Sequence, residues 1–152
     1  MSTQDVVSVY TDGGCRPNPG VGGWAAILIY KGTEKELSGS APESTNNRME
    51  MTAAIEALRS LKRPCRVRMH TDSEYLRKGI TEWLPGWRKK NWQRKGGPVK
   101  NQDLWQALDE ALGQHQIEWA WVPGHAGITY NERCDMLATE AIEAEVERMR
   151  RR

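Results

Sequence analysis

Four carboxylates stand at places where a folded chain has little structural need for one. Asp12 ends an apolar stretch and precedes Gly13-Gly14, and Glu50 lies between Met49 and Met51 in the first turns of an expected helix. Asp72 closes a second alternating stretch, and Asp135 follows Cys134 in a last helical segment. Oxygen donors without a Cys or His cluster suit hard divalent cations. Two such ions side by side can clamp the attacking and leaving oxygens of a phosphodiester displacement. Taken singly, each residue has a plainer explanation. Asp12 and Asp72 fit turns or caps, Glu50 fits a favourable charge near a helix N-terminus, and Asp135 fits a surface acid. They make a site only if the fold brings them together.

The elements that must do so are legible in outline. Val6 to Tyr10 reads as a first strand stopped by Gly13-Gly14, and a Gly/Pro-rich turn leads to a second strand over Trp24–Tyr30. Lys31-Gly32-Thr33 reads as a hairpin turn into a third strand near Lys35–Gly39. A helix begins around Thr45–Asn47, with Met51, Ala54, Ile55, Leu58 and Leu61 as its apolar stripe, and ends at Pro64. Arg66–Thr71 alternates as a fourth strand, and Asp72-Ser73 supplies capping chemistry for a short helix. Leu104, Trp105, Leu108, Ala111 and Leu112 mark a helix capped by Asn101. Ile117–Val122 is a fifth strand, and a last helix starts near Asn131. Strands followed by helices interleaved with strands make a single α/β domain of 152 residues, with a charged helical tail over about 143–152 read as solvated.

Composition narrows the classes. No apolar run approaches the roughly 18 residues of a membrane span, and the N-terminus lacks the pattern of a signal peptide. Cytoplasmic residence with no membrane partner is the expectation. Cys15, Cys65 and Cys134 form no Cys-x-x-Cys pair and read as free thiols in a reducing compartment. No Gly-rich phosphate loop follows a strand, which disfavours a dehydrogenase or kinase. Charge is segregated. Residues 83–102 hold six basic side chains (Arg88, Lys89, Lys90, Arg94, Lys95, Lys100) and no acid, so the overall +2 leaves −4 on the remainder. Trp83, Trp87 and Trp92 interleave with them. Such a segment either holds a polyanion or is a helix with core tryptophans and solvated lysines; the missing acids favour binding. Trp24, Trp105, Trp119 and Trp121 read as core.

Four motifs together resemble a known family. Thr11-Asp12-Gly13-Gly14-Cys15, Asn46-Asn47-Arg48-Met49-Glu50-Met51, Thr71-Asp72-Ser73, and Gly124-His125-Ala126-Gly127 with Asn131-Glu132-Arg133-Cys134-Asp135 follow the order and spacing of bacterial type 1 ribonuclease H. The resemblance runs from about Val6 to Ala141. It implies a five-stranded mixed sheet flanked by helices, with Asp12, Glu50, Asp72 and Asp135 as ligands of two Mg²⁺ ions that Mn²⁺ can replace. It implies a monomer that hydrolyses the RNA strand of RNA–DNA hybrids, leaving 5′-phosphate and 3′-hydroxyl ends. It gives His125 an assisting role in proton handling or product release, which suits an imidazole in a Gly-bracketed loop. His70 and His115 keep plain structural readings.

Discrimination between RNA and DNA requires sensing a 2′-hydroxyl, for which short amides serve well. The resemblance implies hybrid contacts at Cys15, Asn18, Asn46 and Asn47, grip on a DNA-strand phosphate at Thr45 and Asn101, and a basic protrusion over about 83–100. Three departures stand out. Glu74 replaces a common Gln, where a carboxylate repels phosphate; Gly14 replaces a common Ser; Pro123 stiffens the entrance to the His125 loop. Two alternatives stay open: an integrase-like or resolvase-like nuclease of the same superfamily, and a non-catalytic hybrid-binding module.

Overall fold

The computed structural model describes residues 6–94, 97–121 and 129–151. Three long strands open the chain: β1 (Val6–Arg16), β2 (Gly20–Tyr30) and β3 (Thr33–Ser44). Helix α1 (Asn46–Arg59) leads to β4 (Arg66–Thr71), followed by α2 (Glu74–Lys78), a π-helical turn (Gly79–Trp83) and α3 (Leu84–Lys89). A small ribbon of β5 (Gln93–Arg94) and β6 (Gly97–Pro98) precedes α4 (Gln102–Leu112), β7 (Gln116–Trp121) and α5 (Thr129–Arg150). The five-stranded sheet has the order β3-β2-β1-β4-β7. β1–β2 and β2–β3 pair antiparallel, whereas β1–β4 and β4–β7 pair parallel, so the sheet is mixed as expected.

The period-2 alternation of β1 and β2 assigns each face of the sheet its helices. Val7, Val9, Ala26 and Leu28 point to one face and pack with Met51, Leu58, Leu108 and Trp105 of α1 and α4. Ala25 and Ile27 point to the other and meet Cys134 and Ala138 of α5. Thr45 caps α1 by accepting the Arg48 N–H at 3.2 Å.

Three local expectations change. Gly13-Gly14 does not stop β1, which continues to Arg16 in register with β2. Gly13 serves a different purpose: a Cβ there would lie 2.5 Å from the Met49 carbonyl and 2.7 Å from the Glu50 nitrogen. Asn101 occupies the position before α4 but adopts φ 59°, with no side-chain capping bond. The tail is not solvated throughout. Glu145 is 5% exposed, and its Oε1 accepts from the Ser40 hydroxyl at 3.0 Å and from Arg148 at 3.0 Å. Arg148 also donates to Ser40 at 2.7 Å, so the end of α5 is docked on β3.

Candidate active site

Asp12 lies in the middle of β1, on the α5 face, and its Oδ1 accepts the Gly13 N–H at 2.9 Å. The absent side chain of Gly13 lets the first turns of α1 settle directly on this strand, which brings Glu50 beside Asp12. Asp72 follows the last residue of the neighbouring parallel strand. The cap of α2 is the Ser73 hydroxyl, which accepts the Leu76 N–H at 3.1 Å, so capping does not account for Asp72.

Electrostatics registers the convergence. Burial, the neighbouring Asp72 carboxylate and the Asp12 carboxylate together push the Glu50 carboxyl up to about 8, against a partial offset from the Ser73 hydroxyl. Burial is the largest part of this shift, and the part that comes from like-charged neighbours is what a cation would relieve. The fourth acid joins from the other side. Asp135 is exposed on α5, and lines with Asp12, Gly14, Cys15, Asn46 and Thr139 a small cleft of about 140 Å³. α5 comes this close because Gly23 of β2 has no side chain to strike the Ala138 carbonyl. Cys134, next to Asp135, is buried, and its thiol is pushed up to about 12 by burial and by Asp12.

The donor set is all oxygen, which fits Mg²⁺ or Mn²⁺ rather than zinc. Among the described residues no three His, Cys, Asp or Glu side chains form a ready-made ligand set. Mg²⁺ commonly retains several waters and takes only one or two carboxylates, so paired acids such as Asp12–Glu50 and Asp12–Asp135 suit it.

An ordered polar ledge borders the cleft. Asn18 Oδ1 accepts the Asn46 N–H at 3.0 Å, and Asn46 Oδ1 accepts the Cys15 N–H at 2.8 Å. With their carbonyl oxygens engaged, both amides have N–H groups to offer. Asn47 is half-buried alongside. Arg48, which sequence reasoning did not single out, donates to Asn101 at 3.2 Å and to Asp103 at 2.7 Å. It thereby joins the two expected phosphate positions, Thr45 and Asn101. Asn101 also donates to the Tyr75 hydroxyl at 3.0 Å. Glu74 is exposed at the start of α2 and pairs with Arg77 at 3.8 Å.

The basic segment differs from expectation in one respect: an acid does balance part of it. Arg88 pairs with Asp109 of α4, while Lys89 and Lys90 are exposed. Trp83, Trp87 and Trp92 are half-buried against the main core, in a chain of rings that includes Trp105. His125, Pro123 and Lys95 lie outside the described residues. His70 stacks on Tyr10 at 4.1 Å, and His115 accepts the Cys65 N–H at 3.1 Å, both structural roles. A larger cavity of about 1300 Å³, lined by Leu28, Tyr30, Lys62, Arg63, Cys65 and His115, lies at the opposite end of the sheet and contains none of the carboxylates.

A family model described as RNase H matches residues 4–143. The chain is 61% identical over 138 residues to Ribonuclease H of Granulibacter bethesdensis, covering 90% of this chain and 92% of that protein. It is 57% identical over 143 residues to Ribonuclease HI of Pseudomonas aeruginosa, covering 93% and 97%. Among solved structures, LC9-RNase H1, described as a type 1 RNase H with the type 2 active-site motif, superposes with a TM-score of 0.84 at 33% identity, covering 95% of this chain and 75% of that one. LC11-RNase H1 in complex with RNA/DNA hybrid shares the fold with a TM-score of 0.70 at 23% identity, covering 92% and 99%.

Proposed function

Given that the chain belongs to the RNase H family, in its bacterial type 1 branch, we propose that it hydrolyses the RNA strand of RNA–DNA hybrids at the Asp12–Glu50–Asp72–Asp135 cluster. The observation that carries this reading is the mutual crowding of Glu50, Asp72 and Asp12, with Asp135 across the same cleft as Asp12. Two divalent cations, when bound, would supply an activated water and stabilise the departing 3′ oxygen, leaving 5′-phosphate and 3′-hydroxyl ends. The chain's own contribution is position. Asp12 and Asp72 are fixed by adjacent parallel strands, Glu50 by the seating of α1 on Gly13, and Asp135 by α5. A bound cation would favour the charged form of the Glu50 carboxylate, the form able to hold it.

Substrate choice rests on the ledge. Asn18, Asn46 and Asn47 present amides to the 2′-hydroxyls of one strand, and the Cys15 backbone lines the same groove. Thr45 and Asn101, joined through Arg48, grip a phosphate of the DNA strand. Lys89, Lys90 and the faces of Trp83, Trp87 and Trp92 left open to solvent extend the contact along the duplex, with a smaller share for Arg88. Glu74 weakens the contact at its own position. His125 assists as a proton carrier in a monomeric, cytoplasmic enzyme. The test is cleavage of end-labelled hybrid, double-stranded RNA and double-stranded DNA, each with Mg²⁺ and with chelator. Cutting of the hybrid's RNA strand alone, abolished by chelator, is expected; equal cutting of all three would replace this reading with a general nuclease.

A further inference from the structure

The fourth carboxylate stands apart from the others because it is carried on α5, the helix that covers the opposite face of the sheet from α1. Around α5, successive side chains turn by about 100°. Cys134 points down onto the sheet, buried, with its Sγ 3.4 Å from the Tyr10 carbonyl. Arg133 and Asp135 therefore emerge on opposite sides of the helix. On the Arg133 side the contacts are unusually complete. One guanidinium nitrogen donates to Glu34 at 2.8 Å and the other to Glu36 at 2.7 Å, both on β3. The Tyr130 hydroxyl donates to the same Glu34 at 3.0 Å, and Arg133 lies 5.4 Å from the centre of the Tyr130 ring. Tyr130 in turn stacks on Tyr10 of β1 at 4.8 Å. On the opposite side, Asp135 faces the cleft it shares with Asp12.

We propose that Arg133 is a positioning residue: forked across Glu34 and Glu36, it fixes the rotation of the N-terminal part of α5 and so holds the Asp135 carboxylate opposite Asp12. The fork matters, because a guanidinium can span two carboxylates that a single ammonium cannot. The inference rests on the reading of Asp135 as a ligand of a divalent cation. It extends the site to two β3 residues on the far side of the helix from the cleft.

Simple Coulomb attraction and positioning make opposite forecasts for Arg133, which allows a test, and the same forecast for its two glutamate partners. Arg133→Ala removes a positive charge near the cleft and, by charge alone, should tighten Mg²⁺ binding. Glu34→Gln with Glu36→Gln removes two negative charges and, by charge alone, should weaken it. Positioning requires that both weaken it. Calorimetric titration of the full chain with Mg²⁺ should show Kd raised roughly three- to tenfold in both variants, the scale of losing a small exposed ion-pair network. Arg133→Lys should recover only part of the loss. Melting in chelator should change little, and cleavage should recover at high Mg²⁺. Asp135→Asn is the reference. If Asp135→Asn weakens Mg²⁺ binding while Arg133→Ala leaves it unchanged or tighter, the positioning role is overturned and the proposed site stands. If Asp135→Asn itself leaves Mg²⁺ binding unchanged, the ligand reading of Asp135 fails and the clamp falls with it.

Discussion

The two faces of the sheet are held by different physics. On the α1–α4 face, Met51, Leu58, Met69, Leu76, Trp105 and Leu108 are almost wholly buried, and the tryptophans of the basic segment pack around them. On the α5 face the buried apolar set is smaller, Ala25, Ile27, Cys134, Ala138 and Ile142, supplemented by ion pairs and hydrogen bonds to β3. Three of the four carboxylates are carried by strands and a helix that the large core holds; the fourth rides on the polar-clamped helix. Close packing gives rigidity because every displaced methylene is felt, whereas exposed ion pairs contribute only about 0.2–1 kcal/mol each. The site thus combines a stiff half with a half whose placement is adjustable by charge.

Four tests break or sharpen that contrast, beginning with the strongest. Asp12→Asn strikes the residue that faces both halves, and on the proposed reading cleavage should fall roughly a thousandfold or more, because a carboxylate that would hold metal is removed. Its melting temperature should be no lower than wild type, because a crowded charge has gone; an active Asp12→Asn enzyme would remove the basis of the site. Next comes stability. Leu58→Ala, in the large core at 1% exposure, should cost about 2–5 kcal/mol. Ser40→Ala, in the polar clamp of α5, should cost about 1 kcal/mol. Denaturant titration of both variants reads the difference directly, and equal losses would erase the distinction between the faces.

The pH dependence isolates the stiff half. Without metal, folded Glu50 keeps its proton up to about 8, while the unfolded chain releases it near 4.5. Between those values the folded state binds more protons, so this group lowers stability as pH rises. In chelator, Glu50→Gln should therefore gain stability over wild type at about pH 8 and match it near pH 4.5. A constant difference across the range would contradict the crowding of Glu50 with Asp72 and Asp12. The smallest effect belongs to the basic segment. Lys89→Ala and Lys90→Ala should each reduce the slope of log KM against log salt by up to about 0.9, with kcat unchanged. Arg88→Ala should do less, since Asp109 already engages that charge. An unchanged slope in all three would make the segment an ordinary solvated face.

Much of the fold was legible because it depends on local pattern. The apolar stripe of α1, the alternation of Arg66–Thr71 and the hairpin at Lys31-Gly32 each declare their element within a few residues. Misreadings arose where a distant partner decides the outcome. Gly13-Gly14 has the composition of a strand stop, yet the strand runs on because β2 pairs with it as far as Arg16. Arg88 belongs to a run without acids, yet Asp109, from the next helix, pairs with it. Glu145 sits in a mixed charged tail, yet Ser40 and Arg148 make its burial tolerable.

What the sequence by itself determined is the list of participants: four carboxylates, asparagines near two of them, and the periodicities that make the elements. Those are properties of residue type and near-neighbour spacing, which a chain carries before it folds. Only the tertiary structure decided which face each acid occupies, how closely Glu50 crowds Asp72 and Asp12, and that Arg133 is committed to β3 rather than to the cleft. Burial and Coulomb interaction depend on distances through space between residues far apart in the chain, and those distances exist only once both sides of the sheet are packed.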